Sequence, residues 1–107
     1  MLGEVAVVAI RGELDFVLCI KVAPDLNAAL QSPARAVVID LQAVSLVDSS
    51  GVALLLNAFR RLDRAGRRLA IACPMGLQRR AFEVTGLDRQ LPMYESRADA
   101  LTALSAL

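Results

Sequence analysis

The side chains best suited to chemistry in this sequence lie in the run Asp48-Ser49-Ser50-Gly51, between two apolar segments. The segment before it, VVIDLQAVSLV, and the segment after it, VALLL, both have the composition of buried elements. An aspartate or serine at such a boundary is typical of a helix N-cap. The first amides of a helix lack intrahelical partners and its dipole is positive there, so an anion such as a phosphoryl group can be accommodated. The motif alone is more typical of a plain helix cap than of an anion or modification site.

Other kinds of site are excluded by what the sequence lacks. It has no histidine, so it cannot form a Ser-His-Asp or Cys-His arrangement. It has a single lysine, Lys21, and neither a GxxxxGK[ST] phosphate loop nor a GxGxxG dinucleotide fingerprint. Cys19 and Cys73 lie far apart, which predicts two buried free thiols and argues against a zinc or transition-metal site. We expect no catalytic residues, no metal and no cofactor.

Length and charge bound the organisation of the chain. The 107 residues predict one domain spanning residues 1–107. The net charge of +1 gives no argument for direct nucleic-acid binding. No apolar run approaches the roughly 18 to 20 residues of a membrane helix, so no membrane insertion is expected. The start MLGEVAVVAI has no basic region before its apolar residues, and a cytoplasmic location follows as the expectation.

The first half of the chain predicts two strands and one interrupted helical region. EVAVVAI is typical of a strand, which Arg11-Gly12 would close in a turn. FVLCIKVAPDLNAAL predicts an irregular or short helical piece and then a helix from about Pro24 to Gln31, since proline disfavours helix interiors. RAVVIDL predicts a strand buried on both faces, with Asp40 as its closing residue and a structural cap or loop anchor.

The second half alternates helices and strands. Val52, Leu55, Leu56, Phe59 and Leu62 predict an amphipathic helix with Asp48 or Ser49 as N-cap and Gly66 as its end. RRLAIAC predicts a strand, and QLPMYE a short last strand. Between them, MGLQRRAFEVTGL predicts a helix whose inward side chains are Leu77, Ala81 and Val84. A final helix is predicted after Ser96, with one stripe formed by Leu101, Leu104 and Leu107. The alternation indicates an α/β fold with a mostly parallel sheet.

Three ordered blocks resemble the STAS domain family, and most closely its bacterial anti-sigma factor antagonists. The blocks are GELD at residues 12–15, VVIDLQAVSLVDSSGVALLL and LAIACPMGLQRRAFEVTGLDRQ, and together they cover nearly the whole chain. The resemblance implies a single STAS domain: a small mixed, mostly parallel sheet of four to five strands flanked by about four helices. That fold agrees with the one predicted from the residues.

The resemblance also implies a function, which is partner switching without catalysis. Unphosphorylated, such a domain binds an anti-sigma factor that is also a serine kinase and thereby releases the sigma factor. The kinase phosphorylates the serine after the aspartate, which is Ser49 here, with Ser50 as the secondary candidate. A PP2C-type phosphatase then resets the switch. Partner contacts are expected at Asp48, Ser49, Ser50, Gly51, Gly12, Glu13 and Asp15.

Structural explanations stand beside several of these assignments. Gly51 also fits close helix packing or loop geometry, and Gly12, Glu13 and Asp15 also fit a solvated turn beside the Ser49 loop. The five arginines from Arg60 to Arg68 fit a solvated helix end better than an RNA-binding surface. The chain enters its first strand almost at once, whereas many anti-sigma factor antagonists have another strand before it. An uncovered sheet edge through which a homodimer pairs and a protein start that lies further upstream both fit this departure.

Two other functional classes remain open from the sequence. A similar domain serves as the STAS subunit of a membrane transport complex for lipids or anions, where it docks on an ATPase without phosphorylation. The second class is a nucleotide-binding or enzymatic domain, against which the missing glycine-rich loop and the missing histidine argue.

Overall fold

Strands and helices alternate along the chain in the computed structural model, which describes residues 4–105. The strands are β1 (Val5–Leu14), β2 (Ala36–Val47), β3 (Arg68–Ala72) and β4 (Met93–Tyr94). The helices are α1 (Phe16–Gln31), α2 (Ser49–Arg64), α3 (Leu77–Val84) and α4 (Arg97–Ser105), and a 3-10 turn covers Leu87–Arg89. The predicted α/β class, the four strands and the four flanking helices are confirmed.

The sheet has the order β1-β2-β3-β4, and its neighbouring strands pair in parallel. Parallel strands end at the same edge of a sheet, so the segments that follow β1 and β2 are neighbours in space. The register shows this directly, because Leu14 pairs with Val47. The residues after them, Asp15 and Asp48, therefore begin two helices side by side.

The helices cover the two faces of the sheet unequally. Side chains of α1, α2 and α3 share one core with alternate residues of β2, including Val37, Ile39 and Leu41. The opposite face carries a smaller cluster, formed by Ala36, Val38, Ala70, Ala100 and Leu104. This division follows from the period of two along a strand, which sends neighbouring side chains to opposite faces.

Helix α1 is continuous through Pro24, so the predicted interruption of the helical region is wrong. Asp15 caps the helix, which then runs for 16 residues. Pro24 and Ile20 are both exposed, so the carbonyl that loses its usual partner at proline can be hydrated. Burial of Leu26, Ala29 and Leu30 on the other side holds the helix to the sheet. Tertiary packing thus overrides the local effect of proline.

Strand β1 continues through Gly12 to Leu14, so the predicted turn at Arg11-Gly12 is wrong. The register with β2 shifts between Ala9 and Arg11 and again between Gly12 and Glu13. Gly12 has a φ of 100°, which glycine adopts at little cost, and it lets the strand continue past this irregularity. Gly12 and Glu13 are therefore strand residues, and Asp15 is a helix cap.

Asp40 lies inside β2, which continues to Val47, so its predicted place at the end of a strand is wrong. The other part of the prediction, that Asp40 is a structural anchor, agrees with its contacts. The buried carboxylate accepts a hydrogen bond from the Gln42 amide at 2.9 Å and pairs with Arg97 Nε at 2.8 Å. Arg97 is the first residue of α4, so this ion pair fastens the last helix to the middle of the sheet.

Helix α3 faces the core with a different side chain from those predicted. Phe82 is fully buried, whereas Leu77 and Val84 are 63% and 78% exposed, so the prediction that they face inward is wrong. Ala81 is half-buried. The larger ring of Phe82 takes the core position because its burial gains more apolar contact. Leu77 and Val84 are left on the surface.

The last helix agrees with its prediction where the structure describes it. Ser96 caps α4 by accepting a hydrogen bond from the Asp99 amide at 3.1 Å, and Leu104 is buried, while Leu107 lies outside the described residues.

Cys73 is buried, which raises the pKa of its thiol to about 11. Cys19 is only half-buried, so the prediction of two buried thiols is wrong for it, because its helix lies along the rim of the core.

The arginine-rich segment is solvated at one end and built into the fold at the other. Arg60, Arg61 and Arg64 are exposed, as predicted. Arg67 instead donates hydrogen bonds to the carbonyls of Ala34, at 2.8 Å, and of Leu30. It therefore satisfies carbonyl groups near the end of α1, where intrahelical donors run out.

Candidate functional site

Ser49 is the first residue of α2 and its side chain is exposed. The preceding Asp48 is the N-cap: its Oδ1 accepts a hydrogen bond from the Gly51 amide at 3.1 Å, and its carbonyl accepts one from Val52 at 3.0 Å. The Ser49 hydroxyl makes no hydrogen bond with another group in residues 4–105. The aspartate thus builds the helix start, and the hydroxyl beside it remains accessible.

Gly51 is required by close packing at the start of α2. It is buried, and a Cβ placed there would lie 2.8 Å from the Leu14 carbonyl oxygen and 2.8 Å from Val47 Cγ1. The neighbouring Asp48 amide donates to that same carbonyl at 3.2 Å. The structural explanation for Gly51 is therefore confirmed. Its absent side chain lets the helix begin directly over the ends of β1 and β2.

The two serines differ in accessibility. Ser49 is exposed, whereas Ser50 is half-buried between Ser49 and the packed Gly51. A modifying enzyme must reach the hydroxyl oxygen from solvent, so Ser49 offers the better target of the two. This order agrees with the one that the sequence resemblance implies, and it rests on a separate observation.

An apolar groove of about 450 Å³ opens beside Ser49, between the start of α2 and the outer face of α3. Its lining is Leu46, Val47, Asp48, Ser49, Val52, Leu77, Arg80, Ala81, Val84 and Thr85. Leu46, Leu77 and Val84 are three of the large exposed apolar side chains of the protein. Exposed apolar patches of this kind are typical of protein interaction sites.

Sequence reasoning missed this groove and its α3 wall. Leu77, Ala81 and Val84 do share one helix face, as the spacing predicts, but that face borders the groove. The signal was Phe82, a large apolar side chain outside the predicted stripe. This eight-residue helix has two apolar faces. It buries one in the core and leaves the other exposed beside the groove.

The predicted partner-binding residues divide into two neighbouring sets. Asp48 and Ser49 line the groove, and Ser50 and Gly51 follow them in α2. The other three line a separate depression at the end of β1, which is formed by Arg11, Gly12, Glu13, Asp15, Val17, Leu18 and Lys21. Glu13 pairs in register with Leu46 of the groove, so the two sets lie at the ends of adjacent strands.

Cys19 reports how close the two sets are. Burial raises the pKa of its thiol, and the carboxylates of Asp48 and Asp15 raise it further, in that order. This agrees with the pairing of Leu14 with Val47, which brings the caps of α1 and α2 close together.

Two further kinds of site are absent from the described residues. Residues 4–105 contain no group of three or more His, Cys, Asp or Glu side chains placed to hold a metal ion. Within the same range, no helix is both long enough and apolar enough to cross a membrane.

Comparison with known proteins gives one family and consistent relatives. The STAS domain family matches residues 2–100. An anti-sigma F factor antagonist of Lysinibacillus sphaericus is 31% identical over 85 residues, which cover 78% of this chain and 73% of that protein. The crystal structure of an anti-sigma factor antagonist from Mycobacterium paratuberculosis superposes with a TM-score of 0.85 at 32% identity, covering 92% of this chain and 84% of that one.

A transporter domain also shares the fold. The STAS domain of a SulP transporter from Vibrio cholerae superposes with a TM-score of 0.71, covering 97% of this chain and 86% of that one. The identity is 18%, so this likeness concerns the fold alone.

Proposed function

Because this chain belongs to the STAS domain family, we propose that it is an anti-sigma factor antagonist, a regulator of transcription that works by binding and not by catalysis. Two relatives at 31% and 32% identity carry that name. The transporter STAS domain is the less supported alternative, since its 18% identity speaks only for the fold. Such a regulator acts in the cytoplasm on an anti-sigma factor, without direct contact to nucleic acid.

The observation that supports this function best is the exposed Ser49 hydroxyl at the rim of an apolar groove. In the unphosphorylated state, the groove binds an anti-sigma factor with serine kinase activity, and the sigma factor is released. Leu46, Leu77 and Val84 supply apolar area that a partner would remove from water. Asp48, Ser49 and the depression with Glu13 form the polar rim of the same surface.

Phosphorylation reverses the binding. The Ser49 Oγ forms a bond to the γ-phosphorus of ATP, the bond from that phosphorus to the β,γ-bridging oxygen breaks, ADP leaves and the hydroxyl proton is released. The product carries about −1.5 to −2 charges beside the Asp48 carboxylate. Like charges brought together at an interface cost several kcal/mol, and about 2.7 kcal/mol is a hundredfold in affinity. A PP2C-type phosphatase hydrolyses the phosphoserine and restores the binding state.

Incubation with the cognate anti-sigma kinase and ATP tests the modification. We expect one phosphate on the wild type by intact mass and none on Ser49→Ala. Ser50→Ala is the matched control and retains the phosphate, because its hydroxyl is the less accessible one. Full labelling of Ser49→Ala, with the phosphate mapped to Ser50 or elsewhere, contradicts the assignment.

Calorimetry with the same kinase in the absence of ATP tests the switch. Ser49→Asp weakens binding by about tenfold or more, since it adds a second negative charge beside Asp48 at the rim of the groove. Ser49→Ala, which removes the hydroxyl without adding charge, binds as the wild type does. Equal affinities for the wild type and Ser49→Asp count against charge as the cause.

Within residues 4–105, β1 is an edge strand of the sheet, and this edge supports a second proposal, which is self-association. β1 ends the strand order, and its Val7 is 40% exposed. We propose that a homodimer forms through this edge. Sedimentation equilibrium decides this: a monomer at the highest soluble concentration contradicts it.

A further inference from the structure

Arg80 is an arginine of the groove that the structure leaves without a partner. It lies on α3, its side chain is exposed, and it makes no hydrogen bond or ion pair with the rest of residues 4–105. Its neighbour Arg79 differs, because its Nε donates to the Cys73 carbonyl at 3.0 Å. Arg97 differs too, through its pair with Asp40. The guanidinium of Arg80 therefore keeps its full set of donors for another acceptor.

The charges that line the groove point to what this acceptor is. Only Asp48 and Arg80 among the lining residues are charged, and Ser49 lines the same groove as both. The Asp48 Oδ1 is engaged by the Gly51 amide. Phosphorylation would place a dianion on Ser49 at the exposed rim of the groove, where it attracts a nearby cation. Arg80 is the only cation among the groove residues in positions 4–105.

We propose that Arg80 binds the phosphate of phosphorylated Ser49 and joins the start of α2 to α3 across the groove. The proposal rests on Ser49 being the modified residue. A guanidinium can hold two phosphate oxygens at once through parallel N–H donors, which fixes geometry as well as charge. Phosphorylation then blocks partner binding in two ways: the rim of the groove is more negative, and the bound guanidinium covers part of its apolar lining. Arg80 is a positioning residue for the phosphate.

Whether Arg80 binds the phosphate on Ser49 distinguishes two explanations of the switch. If the phosphate acted by repulsion alone, the groove would stay open and Arg80 would be unaffected by phosphorylation. If Arg80 captures the phosphate, part of the effect is the loss of a free arginine and of exposed apolar lining. An acidic side chain of a partner that used Arg80 in the unphosphorylated state would lose its counter-charge at the same moment.

The test uses the full chain with phosphoserine inserted at position 49 during translation, so no kinase is needed. ³¹P NMR then follows the second ionisation of the phosphate against pH. An adjacent cation favours the dianion, so the phosphoserine pKa is lower in the wild type than in Arg80→Gln. We expect a difference of about half a unit at low salt, which shrinks as sodium chloride screens the pair. Arg64→Gln is the matched control, since Arg64 is an exposed arginine at the far end of α2, and it leaves the pKa unchanged.

A second NMR measurement tests the proposal without any substitution at Arg80. The Nε–H signal of Arg80 in the ¹H–¹⁵N spectrum shifts between the unmodified and the phosphorylated wild type, and the Arg64 signal does not. Equal phosphate pKa values in the wild type and Arg80→Gln, together with an unmoved Arg80 signal, overturn the proposal. If the cognate anti-sigma kinase does not phosphorylate Ser49, the proposed function is overturned instead. The two failures are distinguishable because the inserted phosphoserine makes the first measurement independent of the second.

Discussion

The two junctions from strand to helix at the carboxyl edge of the sheet share one construction. Asp15 follows β1 and Asp48 follows β2, with φ/ψ values of −102°/−175° and −97°/−174°. Each Oδ1 accepts a hydrogen bond from the third residue of its helix, from Leu18 at 2.8 Å and from Gly51 at 3.1 Å. Both are aspartate N-caps of the preferred kind.

The junctions differ in the residues that follow the cap. The first helical residue of α1 is Phe16, which is 65% exposed, and that of α2 is the exposed Ser49. The third residue is Leu18 in one and Gly51 in the other, where a Cβ would strike the Leu14 carbonyl. The aspartate is therefore shared structure, and it carries no functional information by itself. What distinguishes the second junction is a hydroxyl, close packing beneath it and an apolar groove beside it.

The largest expected effect comes from moving the hydroxyl between the junctions. The double variant Phe16→Ser, Ser49→Ala keeps an exposed serine directly after a capping aspartate, but places it away from the groove. We expect a complete loss of phosphorylation by the cognate kinase, measured by intact mass. The single variant Phe16→Ser is the control and retains one phosphate, on Ser49. A phosphate on residue 16 of the double variant would mean that the cap alone specifies the site.

The next effect concerns the packing that only the second junction has. Gly51→Ala puts a methyl group against the backbone at Leu14, and we expect it to lower the free energy of unfolding by about 2 kcal/mol. Urea denaturation followed by circular dichroism measures this. Asn57→Ala, at an exposed position of the same helix, is the control and stays within about 0.5 kcal/mol of the wild type. Equal free energies of unfolding for Gly51→Ala and the wild type would contradict this prediction, because α2 would then have moved to accommodate the methyl group at no cost.

A smaller effect tests whether the two caps are equivalent. Asp15→Ala and Asp48→Ala each remove one side-chain acceptor, so each should cost about 1 kcal/mol of unfolding free energy. Asp15→Asn and Asp48→Asn keep an acceptor and recover most of that loss. Chemical denaturation of the four variants gives the comparison. A cost at Asp48 several times that at Asp15 would contradict the shared construction.

The smallest effect is on Cys19, which lies within reach of both carboxylates. Burial is the first cause of its raised pKa, and Asp48 and Asp15 add to it, so neutralising either one lowers the pKa and increases the thiolate fraction. Asp48→Asn and Asp15→Asn should each speed alkylation of Cys19 at pH 8 by about twofold or less. Phosphorylation of Ser49 should slow it. Peptide mapping after iodoacetamide measures the rates, with the buried Cys73 as the unreactive internal control.

The sequence predicted local features well where one residue determines them. Asp48 and Ser96 cap their helices as their types suggest, and Gly66, with a φ of 68°, lies just beyond α2. Pro24 misled the prediction because its effect depends on which side of the helix meets solvent. The path of β1 through Gly12 was missed because a glycine that favours a turn equally permits a strand irregularity.

The candidate site was predictable only in part. The resemblance implied Ser49, and the structure adds that its hydroxyl is accessible. The groove could not be predicted, because it depends on whether α3 turns Phe82 or its other apolar face toward the sheet. That choice is made by tertiary packing, which neither the spacing of Leu77, Ala81 and Val84 nor their hydrophobicity reveals. Arg80 was likewise invisible, since an exposed arginine on a helix is ordinary until its neighbours are known.

The placement of α4 has a consequence for local stability. Among the helices of residues 4–105, only α4 packs on this face of the sheet, where Ala100, Leu104 and the Arg97–Asp40 pair hold it. Few buried contacts favour frequent local opening, so its amides should exchange with solvent hydrogen sooner than those of α2. Because the groove is built on the opposite face by α2 and α3, such opening leaves the Ser49 surface intact. Local opening of α4 and partner binding at the groove therefore take place on opposite faces of the sheet.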